Sequence, residues 1–283
     1  MNNLVKGLSG IAPLAIALLG STTALPVRAA ESFDNCTGFI DSLPASVSTQ
    51  GTWCLRHDLA TSMASGNAIT VATNNVTIDC NNYKVGGTAA GASTATIGIA
   101  AENRVNTTVR HCNIRGFRNG IALTGTTGGN VVQDNRFDGN TYNGLVVAGD
   151  GSLIQRNQVV DTGGAPGAQG IGIWTYGNVD VLDNTVSGMA TANTAYGIYT
   201  DSNFGGVVAG NRVRGLVPAT STSYGIYNLS AVNVSVYNNV VVGTSLVSSI
   251  GLRCTSSDST ARDNFVYGFT TSIVGCRDDG NSL

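Results

Sequence analysis

Seven short runs recur along the chain: "VRHCNIRG" from residue 109, "VQDNRFDG" from 132, "IQRNQVVD" from 154, "VLDNTVSG" from 181, "VAGNRVRG" from 208, "VYNNVVVG" from 236 and "ARDNFVYG" from 261. Each opens on an apolar residue, passes two mostly polar positions, reaches a turn residue and leaves through a second short strand. The turn residue is Cys112 in the first copy and then Asn135, Asn157, Asn184, Asn211, Asn239 and Asn264, at separations of 22 to 28 residues. A further strand follows each of the first six, opening on glycine: "GIAL" at 120, "GLVV" at 144, "GIGI" at 170, "GIYT" at 197, "GIYN" at 225 and "GLRC" at 251, with an earlier "GIAA" at 98. Three short strands per unit, with no helical apolar stripe beyond the first thirty residues, describe a coil that returns to its starting edge once per repeat.

Stacked coils convert sequence spacing into neighbourhood. Val109, Val132, Ile154, Val181, Val208 and Val236 form one inward column, and Ile121, Leu145, Ile171, Ile198, Ile226 and Leu252 another, on rungs about 4.8 Å apart. The Asn column suits a turn, because Asn tolerates left-handed backbone and its amide can bond the equivalent Asn above and below. That ladder is structural and carries no catalysis. Regular strand spacing alone would also permit an all-β sandwich, but a sandwich does not require registered Asn and Gly-Ile columns.

The "NVTIDCNNYKVGG" stretch at 75 to 87 and the repeated Asn and Gly-Ile pattern resemble the right-handed parallel β-helix proteins of the pectin-lyase-like superfamily, over about residues 66 to 276. The resemblance implies an all-β, right-handed parallel β-helix of three-strand coils. Superfamily members include pectate and alginate lyases, glycosidases, epimerases, phage spikes and adhesins, so function has to be read from the site. The segment "CTGFIDSLPASVSTQGTWCLRHDL" at 36 to 59 resembles the stretch that precedes the first coil in such proteins. A solenoid end needs a cap to cover apolar core and unpaired strand edges. The expected division is therefore a signal peptide at 1–29, an N-terminal cap at 30–65 and the β-helix at 66–283.

The signal-peptide expectation rests on Lys6, the apolar run "IAPLAIALLG" at 11 to 20 and the small residues ending "VRAA". The run is short of a membrane span and Pro13 interrupts it. A secreted or periplasmic location follows, and six cysteines can then pair. Spacing and strand context favour Cys36 with Cys54, Cys80 with Cys112, and Cys254 with Cys276. With two His and no Cys-x-x-Cys, no zinc site is expected. Only 11% of residues are charged and the formal net charge is -2, which excludes nucleic acid and an anionic membrane surface as partners.

The tetrapeptide "YGIY" occurs at 196 and again at 224. With Ile198 and Ile226 inward, period-two alternation turns Tyr199 and Tyr227 outward on adjacent rungs, with Arg253 in the same column on the next. Two residues further along the outward row come Trp174 and Asp201. The loops "DTGGAPGAQ", "SGMATANTA" and "GLVPATSTS" flank this face, and loops on a repeating scaffold commonly carry binding. Trp174, Tyr176, Tyr199, Asp201, Tyr227 and Arg253 thus outline a groove suited to a polysaccharide, whose ring faces are apolar. Arg253 suits a uronate carboxylate. In superfamily lyases this outer face carries the site, so the resemblance points the same way.

Candidate catalytic residues are Arg253, Asp201 and Tyr227. A lyase needs a base beside a neutralised uronate, yet Lys84, the one lysine beyond the leader, lies away from the aromatics. No Asp cluster with calcium-site spacing stands on this face, so no cofactor is expected. A glycosidase needs two carboxylates roughly 5 to 9.5 Å apart, and Asp201 is the single acid of the row. Lyase, glycoside hydrolase and non-enzymatic surface scaffold or adhesin all stay open. A second constellation, His111, Asp134, Arg156 and Asp183, reads as a surface charge ladder, with His111 and Asp134 an acid-base pair only in a cleft.

Overall fold

In the computed structural model, described for residue 33 and residues 35–283 apart from 202, 231 and 245–247, the apolar columns are the core. The signal-peptide expectation for 1–29 lies outside the described residues. Each coil lays one strand in each of three parallel sheets. In one coil, Thr107–Arg110 belongs to the first sheet, Asn113–Arg115 to the second and Asn119–Thr124 to the third, before Val131–Gln133 returns to the first. The sheets hold 11, 9 and 10 strands, each pairing with strands one coil away, and the single helical element among the described residues is a three-residue 3-10 turn. The chain is a right-handed parallel β-helix.

Three inward columns meet along the axis. Val109, Val132, Ile154, Val181, Val208 and Val236 pair in register in the first sheet and are fully buried. Ile114, Phe137, Val159, Val186, Val213, Val241 and Val266 do the same in the second. In the third sheet the column is Ile99, Ile121, Leu145, Ile173, Ile198, Ile226 and Leu252. Each such side chain contributes roughly 1.5–3 kcal/mol by leaving water.

That third column corrects the sequence reading by one residue pair. "GIGI" offers two Gly-Ile dipeptides, and the chain uses Gly172–Ile173 where Gly170–Ile171 was expected. Ile171 pairs instead with Asn143 and Tyr196. The shift moves Trp174 into line with Tyr199.

The Asn ladder forms as expected, with one change of residue. Each amide Nδ2 from Asn135 to Asn264 donates to Oδ1 of the next ladder Asn, ending on Asn281, at 2.8–3.0 Å. The left-handed residue is the one before the Asn: His111, Asp134, Arg156, Asp183, Asn238 and Asp263 have φ of 52–56°. The turn is made one position early, which aims the Asn inward, where its side chain satisfies buried backbone groups.

All three expected disulfides are present: Cys36–Cys54, Cys80–Cys112 and Cys254–Cys276. Cys112 occupies the ladder position, and its backbone N–H donates to Asn135 Oδ1 at 3.0 Å. Within the segment expected as a cap, Gly38–Phe39 and Gly51–Cys54 join the first sheet, Leu59–Ala60 the second and Ala45–Val47 the third. That segment is the terminal layer of the solenoid, with Ile40 and Leu55 buried in the core.

Candidate functional site

The repeated "YGIY" has a packing origin. A Cβ on Gly197 would lie 2.3 Å from Val213 Cγ1 and 2.5 Å from the Gly225 carbonyl oxygen. A Cβ on Gly225 would lie 2.2 Å from Val241 Cγ1, and one on Gly251 2.2 Å from Val266 Cγ1. Neither Gly197 nor Gly225 has a positive φ, so glycine is needed for space, where the third sheet meets the valine column of the second. The strand pairing skips these glycines, joining Tyr196 to Tyr224 and Ile198 to Ile226. Glycine and isoleucine therefore both face the core, and the tyrosines on either side of them both face out.

Strict alternation would have turned Tyr196 and Tyr224 inward, and the sequence reading missed both. They stack with ring centroids 5.2 Å apart and planes 9° from parallel. Tyr199 lies 5.1 Å from Tyr196, and Tyr227 lies 4.9 Å from Tyr224. Trp174 approaches Tyr199 at 6.1 Å and Tyr176 at 6.4 Å. Arg253 closes the cluster, its guanidinium 5.1 Å from the Tyr227 ring centre and 5.7 Å from that of Tyr224, with Nη1 donating to the Tyr224 hydroxyl at 3.3 Å. All seven side chains are half-buried. The result is a continuous aromatic platform with a cation at one end.

Crowding changes the phenols. Burial, reinforced by the charge of Asp201, pushes Tyr199 up to about 12. Burial also raises Tyr176, opposed by a backbone hydrogen bond from Gly125 and helped by Asp201, and raises Tyr196, helped by Tyr224 and Tyr227. The charge of Asp201 thus contributes to the shifts of both Tyr199 and Tyr176. Its backbone is held by its own N–H to the Thr175 carbonyl at 2.9 Å.

The column that carries Trp174, Tyr199, Tyr227 and Arg253 runs back through Val146, Ala122, Ala100 and Thr70. Small side chains there leave a depression of ≈ 450 Å³ lined by Thr70, Ala100, Ala122, Asn67, Glu102 and Arg104 among others. Ala100 and Ala122 belong to the repeated Gly-Ile strands but carry no aromatic or charged side chain, and the sequence reading did not place them in a site.

The charge row before the Asn column is a surface ladder. Arg156 makes a two-bonded pair with Asp134 at 2.8 Å, and this holds the Asp134 carboxyl below its usual range. His111 Nδ1 bonds Asp79 Oδ1 at 3.2 Å, and Arg110 Nε donates to Asp79 Oδ2 at 2.7 Å. His111 and Asp134 each have another partner, so the acid-base pairing is not made. Among the described residues no group of three His, Cys, Asp or Glu is placed to hold a metal ion, and every cysteine is in a disulfide.

Comparison with known proteins places this architecture. Residues 32–243 match the family described as "Periplasmic copper-binding protein (NosD)". The solved Dettilon tailspike protein superposes with a TM-score of 0.52 at 17% identity, over 85% of this chain and 54% of the tailspike. The chain thus spans about half the length of that protein. The A-module of an Azotobacter vinelandii mannuronan C-5 epimerase is a weaker likeness, with a TM-score of 0.33 at 12% identity over 88% of this chain and 87% of the module. No curated protein sequence matches.

Proposed function

The chain belongs to the periplasmic NosD family, and we propose that it binds an acidic polysaccharide laid along the solenoid axis against Trp174, Tyr199 and Tyr227. The family and the three disulfides fix the compartment as periplasmic or extracellular. One observation carries the reading: six aromatic side chains on consecutive coils form one half-buried outer platform that ends on Arg253. Aromatic faces take up the apolar faces of sugar rings while phenol hydroxyls meet the ring substituents. The platform advances by about 4.8 Å per rung, so it follows a chain of rings rather than a single one. Arg253 keeps donors beyond the one engaged by Tyr224, and a planar guanidinium matches a carboxylate.

The copper of the family description does not fit these residues. Copper sites are built from imidazole, thiolate or thioether groups. Here the cysteines are all paired as disulfides, Met189 is enclosed in the core, Met63 is a lone half-buried thioether, and His57 and His111 are engaged at separate points of the N-terminal coils. The platform itself offers one carboxylate, Asp201, whereas glycoside hydrolysis needs a pair flanking the bond. The arrangement favours holding a polymer over cutting it.

The test is titration of oligouronates into the protein, followed by tryptophan fluorescence. Saturable binding that disappears in the Tyr199→Ala, Tyr227→Ala double variant, whose melting temperature stays within a few degrees of the parent, supports the reading. Unchanged binding in that variant overturns it.

A further inference from the structure

We infer that the depression over Thr70, Ala100 and Ala122 is a second subsite, one that demands a carboxylate-bearing sugar, so that full occupancy of the face requires an acidic oligomer long enough to reach it from the aromatic platform. The inference rests on the polysaccharide reading above and concerns the other end of the same face. Three observations lead to it.

The first is continuity. Thr70, Ala100, Ala122 and Val146 are paired, rung by rung, into the column that becomes Trp174, Tyr199 and Tyr227. A chain lying on the aromatics and following the axis therefore arrives over the alanines. From the rung of Ile97–Glu102 to that of Ser249–Cys254 is six steps, or about 29 Å at strand spacing.

The second is shape. Where the platform presents large flat rings, the floor of the depression presents a hydroxyl and two methyl groups, and ≈ 450 Å³ opens above them. A flat platform accepts any ring face. A recess accepts a ring that sinks into it and meets its walls.

The third is an unused donor. Arg104 lies in the turn leaving the third sheet, anchored through its carbonyl, which accepts from Thr127 Oγ1 at 2.9 Å. Arg104 lines the recess, and its Nε is buried without a hydrogen-bond partner among the described residues. No ion pair involves Arg104 among those residues. A buried donor left unmade is costly, and a guanidinium can form a two-bonded fork with a carboxylate through an edge that includes Nε. Glu102 on the rim and Asn67 at the far side supply groups for sugar hydroxyls. Glu102 also disfavours a second carboxylate close by.

The two ends then make different demands. The platform reads ring faces and tolerates neutral chains, while the recess reads charge. Titrating the intact protein with a length series of oligouronates and a matching neutral series separates them. Affinity for oligouronates should rise in a second step at the length that spans from Trp174 to Arg104, and the neutral series should lack that step. Arg104→Gln should weaken long oligouronates by roughly tenfold and leave short and neutral oligomers unchanged. Ala122→Phe, which extends the aromatic surface into the recess, should remove the step independently of Arg104. Equal weakening of both series by Arg104→Gln, or a step that persists in both variants, overturns the subsite while leaving the platform intact. Absence of any glycan binding by the parent protein instead overturns the polysaccharide reading, and the subsite with it.

Discussion

Two files of side chains run up this solenoid, one residue per coil in each, with opposite physical character. The asparagines from Asn135 to Asn264 are at most 3% exposed, and every amide has assigned partners. The aromatics from Trp174 to Tyr227 are half-buried, touch one another by ring faces and edges, and leave a buried indole N–H on Trp174 unpartnered. The comparison teaches that a repeat specifies register, while burial and hydrogen-bond satisfaction specify role. Satisfied and hidden, a ladder holds the fold; exposed and incompletely satisfied, it is available to a ligand.

The largest effect should come from the hidden file. Asn184 Nδ2 donates to Asn211 Oδ1 and to the carbonyls of Ile154 and Leu182, and its Oδ1 accepts from the Asn157 backbone and side chain. Asn184→Ala strands several buried groups at once, at about 1–3 kcal/mol each, so a loss of roughly 3–5 kcal/mol is expected in denaturant unfolding. Gly197→Ala tests the space argument. With 2.3 Å to Val213 Cγ1, overpacking should cost about 1–3 kcal/mol, against the few tenths gained where the backbone alone decides.

The outer file should behave differently. Removing Tyr199 and Tyr227 together should cost about 1–2 kcal/mol of stability through lost ring contacts, less than a single ladder Asn. The phenol of Tyr199 gives a cleaner handle. Its folded value of about 12 lies above the unfolded value near 10, so the folded state holds the proton longer. Its contribution is fully present below the unfolded value and lost as pH rises through the folded one. Ultraviolet titration should show late phenolate ionisation that Tyr199→Phe reduces, leaving the raised Tyr176 and Tyr196. The smallest effect belongs to the surface ladder: Asp134→Asn breaks the Arg156 pair and should change stability by about 0.2–1 kcal/mol, diminishing with salt.

The fold was legible because a solenoid writes its register into sequence spacing, and the spacing of the Asn turns is a direct image of the rungs. The disulfides followed from spacing and strand context, and the structure has all three. Three features were illegible for physical reasons. "GIGIWTY" contains two Gly-Ile pairs that spacing does not tell apart, and in the structure Gly172, packed against Val186 and the Gly197 carbonyl, is the one that lies in the glycine file. Tyr196 and Tyr224 face outward because glycine lets two consecutive residues face the core, which a period-two rule does not anticipate. The recess at Ala100 and Ala122 is made by the absence of side-chain atoms, and alanine at these positions gives no pattern to detect.

The central claim is that the outer file binds what the inner file positions. Calorimetric titration of one oligouronate into the parent protein and into the Tyr199→Ala, Tyr227→Ala variant tests it most directly. The account predicts a saturable heat in the parent and none in a variant that still unfolds cooperatively. Equal binding heats in the two proteins would contradict it.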